Sequence, residues 1–371
     1  MFKTYTNDIY KDLDKQHNIF VLVGNGFDIA VLNRYKSKKL YGKTTSYQDF
    51  YEYVKQKQFK LSTYGNILLK KMEEDKSAGK KDWSDFENSI YDLYIGKQYT
   101  ISELENMIDE YQSYFTEYLN LLVDTDILLQ LDSEVKKKNL SIQSLEYFLR
   151  DIPYGLLKFS HVSNLKHYDL YNFVFANFNY TSLLDNYLFL DKIQFDPHVF
   201  LTVDRNMSFH LNNQDQLKNY TETVNSSYLH LDIIHPHGMQ DIPRSILFGI
   251  HLDNYDPGRS VEKRLVKGYW AQYSIKYQPY IDQAELIIIY GMSFGASDTW
   301  WMEQIYNSII ERDIELLIYK FGEDDEECIK DLFLSRCGVK ADEDKAKVRK
   351  NIIVKTFKEN DTYFLGFEKK I

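Results

Sequence analysis

The chain has 371 residues, 44% hydrophobic, 16% aromatic and 27% charged, so it can bury a sizeable core without disulfides or a metal. A disordered coil, a collagen-like or coiled-coil rod and a small disulfide scaffold are excluded on the same numbers. With 45 basic against 55 acidic side chains the net charge is -10, which disfavours a phosphate-tracking surface and nucleic acid as a partner.

Cys328 and Cys337 match neither a zinc-ligand spacing nor a redox pair and read as bystander thiols. Met1 to Asn18 is polar, and the longest apolar run, Leu286 to Ile289, is far short of a membrane span. A soluble cytoplasmic protein with no membrane contact is expected. The 31 tyrosines accompany abundant Lys, Asn and Ile and are read as compositional bias, not as a binding signature.

In chain order, the first strong element is the apolar run Ile19 to Val23, ending in Gly24, Asn25, Gly26, Phe27 and Asp28. A buried strand feeding a glycine turn and then a helix is the opening of a nucleotide-binding α/β unit. Ser46, with Asp49 three residues on, begins a helix, and from there to residue 168 the chain reads as helical. Its best segment carries Ile101, Leu104, Ile108, Tyr111, Phe115, Tyr118 and Leu122 at three-four spacing, with Thr100 and Glu103 as a capping box. That stripe needs a partner helix, and an intramolecular hairpin is favoured over an intermolecular coiled coil.

After residue 168, strands are expected at Phe173 to Ala176, Tyr228 to Ile234, Ile246 to Phe248, Leu286 to Tyr290, Ile314 to Tyr319 and Ile352 to Phe357, with helices between them. The polar stretch Asn212 to Ser227 reads as a loop, and the acids Glu323 to Glu327 as a helix start. The fold class is therefore α/β, a Rossmann-like, mostly parallel sheet with a large helical insertion between its first and second strands. Residues 1–45 and 169–371 form the α/β part and 46–168 the insertion.

In an open parallel sheet, ligands bind at the carboxyl ends of the strands. Four clusters fall there: Gly24 to Asp28, Asn177 to Thr181, His235 to Gly238, and Gly291 to Asp298. The first lacks the third glycine of the dinucleotide fingerprint, because Ile29 holds that position. Its plain alternative is a tight strand-to-helix turn, just as Ser297 or Asp298 can simply cap the following helix. His235 and His237, with His230 or His251, lack an acidic or cysteine partner at a diagnostic spacing, so no metal is expected. A histidine placed after a strand and before glycine, as His237 is, suits a general base whose ordinary pKa lies near neutrality. A satisfied structural histidine is the plain alternative.

Taken together, Val23 to Asp28, Thr45 to Phe50, Trp83, Phe86 and Glu87, Asn177 to Thr181, His237 with Gly238, and Tyr290 to Ser293 with Ser297 and Asp298 resemble the AbiH family of bacterial abortive-infection proteins. That family is similar to sirtuin-like NAD-binding enzymes, several of which are antiphage NAD-consuming effectors. The resemblance implies a sirtuin-like core and NAD as substrate. Asn179 would orient the nicotinamide ribose and the attacking water, and His237 would be the catalytic histidine. The glycine turn at Gly24 and Gly26 would meet the diphosphate and Ser293, after Gly291, the phosphates and the adenosine side, while Asp28 and Asp298 would face the ribose; Asn25, Phe27 and Tyr180 complete the expected cofactor contacts.

Thr181 stands where the resemblance expects an acid beside the nicotinamide amide, and the cysteine quartet of the deacetylase zinc module is absent. Cleavage of NAD at the nicotinamide-ribose bond is thus expected in place of deacetylation, gated by self-assembly or a partner protein through the helical insertion. A nucleotide-binding sensor without chemistry and a nucleic-acid-cleaving effector are the alternatives.

Overall fold

Strand β1, Gln16–Val23, shows why a central strand reads as one continuous apolar run. Ile19, Val21 and Val23 point into one hydrophobic layer, while Phe20 and Leu22 point into the other. Successive side chains leave opposite faces of a strand, so a sheet covered on both sides needs apolar residues at every position. The computed structural model describes residues 1–10, 13–153, 155–159, 169–191, 207–208, 226–252, 261–338, 342–358 and 362–368.

Within these residues the remaining strands are β2 Leu170–Asn177, β3 Met207–Ser208, β4 Ser226–Ile234, β5 Leu286–Tyr290, β6 Glu315–Phe321 and β7 Ile352–Phe357. They form one sheet in the order β3-β4-β2-β1-β5-β6-β7. The six strands from β4 to β7 are parallel, and only the two-residue β3 is antiparallel, at the edge beside β4. From β1 the chain builds outward on one side through β2 and β4, then returns to the other side of β1 for β5, β6 and β7. The crevice above β1 and β5 is therefore where the strand order reverses, the place at which parallel sheets bind ligands.

Between β1 and β2 in the chain come α1 Gly26–Arg34, α2 Tyr47–Gln56, α3 Thr63–Ser77, α4 Phe86–Ile95, α5 Ile101–Leu122, α6 Thr125–Lys138 and α7 Leu140–Glu146. The Ser46 hydroxyl accepts from the Asp49 N–H and caps α2, and Thr100 with Glu103 forms the full capping box of α5. The α5 stripe is spent inside this chain. Leu104, Tyr111, Phe115, Tyr118 and Leu122 are buried against α2, α3, α4 and the layer below, so that face offers no seam to a partner. On the opposite face of the sheet, Trp301, Met302, Ile305 and Ile309 of the helix Thr299–Arg312 cover Phe20, Leu22, Ile287 and Ile289.

Two expectations shift. Ile246 and Phe248 are buried and Leu247 partly so, but the run joins no ladder; the Leu247 N–H donates instead to the carbonyl of His237 at 2.9 Å, holding the histidine turn in place. Of the stretch Asn212 to Ser227, Ser226 and Ser227 begin β4, while 212–225 lie outside the described residues, as does the boundary at 168. The acids at Glu323 to Glu327 behave as expected, with Asp325 capping the helix Glu326–Arg336. Among the described residues no helix is long and apolar enough to cross a membrane.

At the amino ends of the central strands, His17 bridges Asp169 at 3.0 Å and Glu285 at 2.8 Å, clamping β1 to the approaches of β2 and β5. Burial alone would lower its pKa, but the two carboxylates outweigh burial and hold it above 6.5. A raised folded-state value means that this stabilisation is complete below the ordinary value and fades as pH rises through the folded one. The urea midpoint of the wild-type chain is therefore expected to fall more steeply than that of His17→Asn as pH rises from below 6.5 through the raised folded-state value. Parallel pH profiles would remove the clamp from the account.

Candidate functional site

Above the reversal point lies a cavity of about 490 Å³, within the roughly 300–1,000 Å³ that small-molecule sites occupy. All four strand-end clusters reach it. Gly24, Asn25, Gly26 and Asp28 come from the end of β1, Asn179 and Tyr180 from β2, His237 from the turn after β4, and Gly291, Ser293 and Asp298 from the segment after β5. Phe27 does not line it. Its ring faces down into the core against Tyr187 and Phe367, because the first turn of α1 directs that position toward the sheet.

The glycine turn is stapled to β5. Gly24 N–H donates to the Tyr290 carbonyl at 2.8 Å and Gly26 N–H to the Gly291 carbonyl at 2.9 Å. A Cβ on Gly26 would stand 2.9 Å from the Gly291 backbone, which cannot move aside like a side chain. The glycine is therefore required by the approach of two turns, whatever ligand binds. Gly26→Ala is expected to destabilise the chain by about 1–3 kcal/mol through this overpacking, measurable as a shift in the denaturant midpoint.

Asn179 is 3% exposed, and neither its amide nitrogen nor its amide oxygen has a hydrogen-bond partner among the described residues. Its own backbone is held by the Asn177 side chain, which accepts from the Asn179 N–H at 3.0 Å. A rigid, unpaired amide on a cavity wall is costly to maintain and is a site for a ligand's hydrogen bonds.

His237 Nε2 lies 2.9 Å from the Tyr273 hydroxyl and 3.4 Å from Asp298 Oδ1. Burial, with help from the Lys267 charge, holds its pKa well below 6.5, so neutral imidazole faces the cavity. This revises the sequence expectation of a base poised at its ordinary pKa. The group beside it that titrates near neutrality is Asp298, pushed up to about 6 by burial against the opposing pull of Lys267. Gly238 makes the turn possible: its φ is 82°, and a Cβ there would overlap the Ser245 carbonyl. His235 points elsewhere, to Asp185 at 2.9 Å, and His230 pairs with Asn172, so these histidines do not converge as a ligand set.

Asp28 is fully buried. Its Oδ2 accepts from the Thr181 hydroxyl at 2.6 Å, while Oδ1 has no partner among the described residues. Burial raises its pKa to about 7, the Thr181 hydrogen bond opposing.

The helical layer supplies the roof through Tyr47, Asp85, Glu87 and Phe115. Glu87 is its anchor, accepting from the Gly249 N–H at 2.8 Å, from Lys267 Nζ at 3.4 Å and from the Tyr47 hydroxyl at 3.3 Å. Lys267 and Glu87 are 2% and 3% exposed. Burial alone would depress the lysine, but Glu87 outweighs it and keeps the ammonium charged. Lys267, Asp85 and Lys320 were not singled out from the sequence. A lone lysine or aspartate in a polar stretch carries no spacing signal, and these become site residues only because the sheet folds them onto one crevice.

No curated protein and no solved structure matches the chain closely enough to add to this picture. The family model for bacteriophage abortive infection AbiH matches residues 20–320, a span that runs from β1 to the end of β6 and takes in every strand-end cluster of the cavity. The chain therefore belongs to the AbiH family of bacteriophage abortive-infection proteins.

Proposed function

We propose that this chain is an antiphage effector that hydrolyses NAD at the nicotinamide-ribose bond. The observation that carries the reading is the buried amide of Asn179, without a partner among the described residues and lining the same cavity as His237 and Asp298. In the reaction the bond from C1′ of the ribose to the nicotinamide nitrogen breaks. Its electron pair stays on nicotinamide, which leaves as a neutral molecule, and a water oxygen bonds to C1′. The protein must then position the water, stabilise a developing ribosyl cation and take one proton.

Asn179 holds the water and the ribose hydroxyls. The proton goes to Asp298 across its contact with His237, the imidazole remaining neutral on average. Asp28 takes the part of the acid that Thr181 replaces in sequence: Thr181 binds one carboxyl oxygen, and the other, without a partner among the described residues, is left for the carboxamide of nicotinamide. In this reading the sirtuin-like likeness of the core lies in this constellation, and the helical layer over the cavity, inserted between β1 and β2, is where a partner or a second copy would gate activity.

Chromatography of cell nucleotides after expression, with and without phage challenge, tests the proposal. Nicotinamide and ADP-ribose should accumulate as NAD falls, and an intact NAD pool under both conditions overturns it. Because Asp298 acts as the ionised acceptor, hydrolysis by the purified chain is expected to decline as pH falls through about 6. Asp298→Asn should lose that acid limb along with most of the rate. The hold of Tyr273 on His237 favours a second reading, nucleotide binding without chemistry. Calorimetry showing saturable NAD binding with no turnover under any challenge would select it.

A further inference from the structure

The cavity has two lysines, and their situations differ. Lys267 is committed to Glu87. Lys320, at the carboxyl end of β6 and half-buried, forms no ion pair within the described residues. Its Nζ donates to the Met292 carbonyl at 3.3 Å and lies 5.7 Å from the centre of the Phe294 ring. Burial lowers its pKa, with Asp324 opposing and Lys81 adding like charge. A cation withdrawn from water without a carboxylate is a standing cost that a bound anion removes.

Three amides of the strand-to-helix turn are already engaged. The N–H groups of Gly24 and Gly26 are taken by the Tyr290 and Gly291 carbonyls, and that of Phe27 donates to Gly24 O at 3.2 Å. These are the amides that a glycine turn ordinarily offers to a phosphate. Ser293 and Ser297, which line the cavity on the same side, supply hydroxyl donors instead.

We propose that Lys320 is the anion-recognition residue of this cavity, binding a phosphate or diphosphate group over the Met292–Ser293 segment with help from the Ser293 and Ser297 hydroxyls. The proposal rests on the nucleotide reading of the site for its choice of ligand, but it assigns the affinity for phosphate to a side chain and not to the glycine turn. An ammonium at the lip recognises a point of charge, so ligands are ranked by the phosphate they carry more than by the base.

Calorimetric titration of the full chain with sodium diphosphate, ADP-ribose and adenosine tests this. Lys320→Gln, which keeps a donor for Met292, is expected to weaken diphosphate and ADP-ribose by roughly ten- to a hundredfold, with adenosine unchanged and Lys320→Arg close to wild type. If Lys320→Gln fails to fold, Lys320→Met retains the apolar stem and carries the same expectation. Equal diphosphate affinity in wild type and variant, or no diphosphate binding by the wild type, overturns the proposal. Lys320-dependent diphosphate binding by a chain that never hydrolyses NAD sinks the glycohydrolase reading and leaves this one standing. Hydrolysis of NAD with an unchanged KM in Lys320→Gln does the reverse.

Discussion

Asn179→Ala is expected to lower nicotinamide release by roughly 10²–10³-fold while leaving the melting temperature unchanged or slightly raised. The two halves of that result come from one observation. The amide is buried and has no partner among the described residues, so removing it costs none of their hydrogen bonds and relieves an unsatisfied polar group. Sites that bind or react commonly carry such a cost, and the stability gained on removing the group is matched by function lost. Asn179→Asp is the sharper companion: it keeps the shape but can no longer donate, and it adds a carboxylate near Asp28 and Asp298. Nicotinamide release and thermal unfolding measured on the same preparations decide the matter. A variant that hydrolyses NAD at the wild-type rate removes Asn179 from the mechanism, and one that unfolds easily marks the residue as structural.

The second large effect is on stability. Lys267→Met should destabilise the chain by about 3–5 kcal/mol, because removing one partner of a buried pair strands the other. The stranded group is Glu87, left with the Gly249 N–H and the Tyr47 hydroxyl in place of an ammonium. Burial and the Glu87 charge already push Asp85 up to about 7, so losing the lysine leaves several carboxyl groups around one cavity with less positive charge to offset them. Glu87 and Tyr47 belong to the helical layer and Lys267 to the segment beyond β4, so the loss loosens the roof over the cavity. The double variant Lys267→Met/Glu87→Gln is expected to recover part of the stability, and a double-mutant cycle in urea measures the coupling. If the two single changes add without coupling, the pair is not the fastening that joins the roof to the site.

The element types were legible along the chain wherever one strong local signal dominated. β5 and β7 occupy the spans expected of them, since short apolar runs between polar breaks leave little choice. The caps of α2 and α5 followed from Ser46 with Asp49 and Thr100 with Glu103, because capping is decided within four residues. Ile246 to Phe248 misled because an apolar run signals burial, and burial without a neighbouring ladder does not make a strand. Phe27 misled in the same way: membership of a loop motif says nothing about which way its ring turns.

The sequence by itself determined that this is an α/β chain with a helical stretch after its first strand, and it marked Asn179, His237, Asp28 and Asp298 as residues at strand ends. Those conclusions rest on interactions local in the chain: period, capping and turn chemistry. Only the tertiary structure decided that β5 returns to the far side of β1, so that Gly291 meets Gly26 and all four clusters share one crevice. It alone brought Glu87, Lys267 and Lys320 to the same cavity. It also set the protonation of that cavity, lowering His237 and raising Asp298 and Asp28, because burial and the sign of neighbouring charges belong to the assembled fold and to no stretch of sequence.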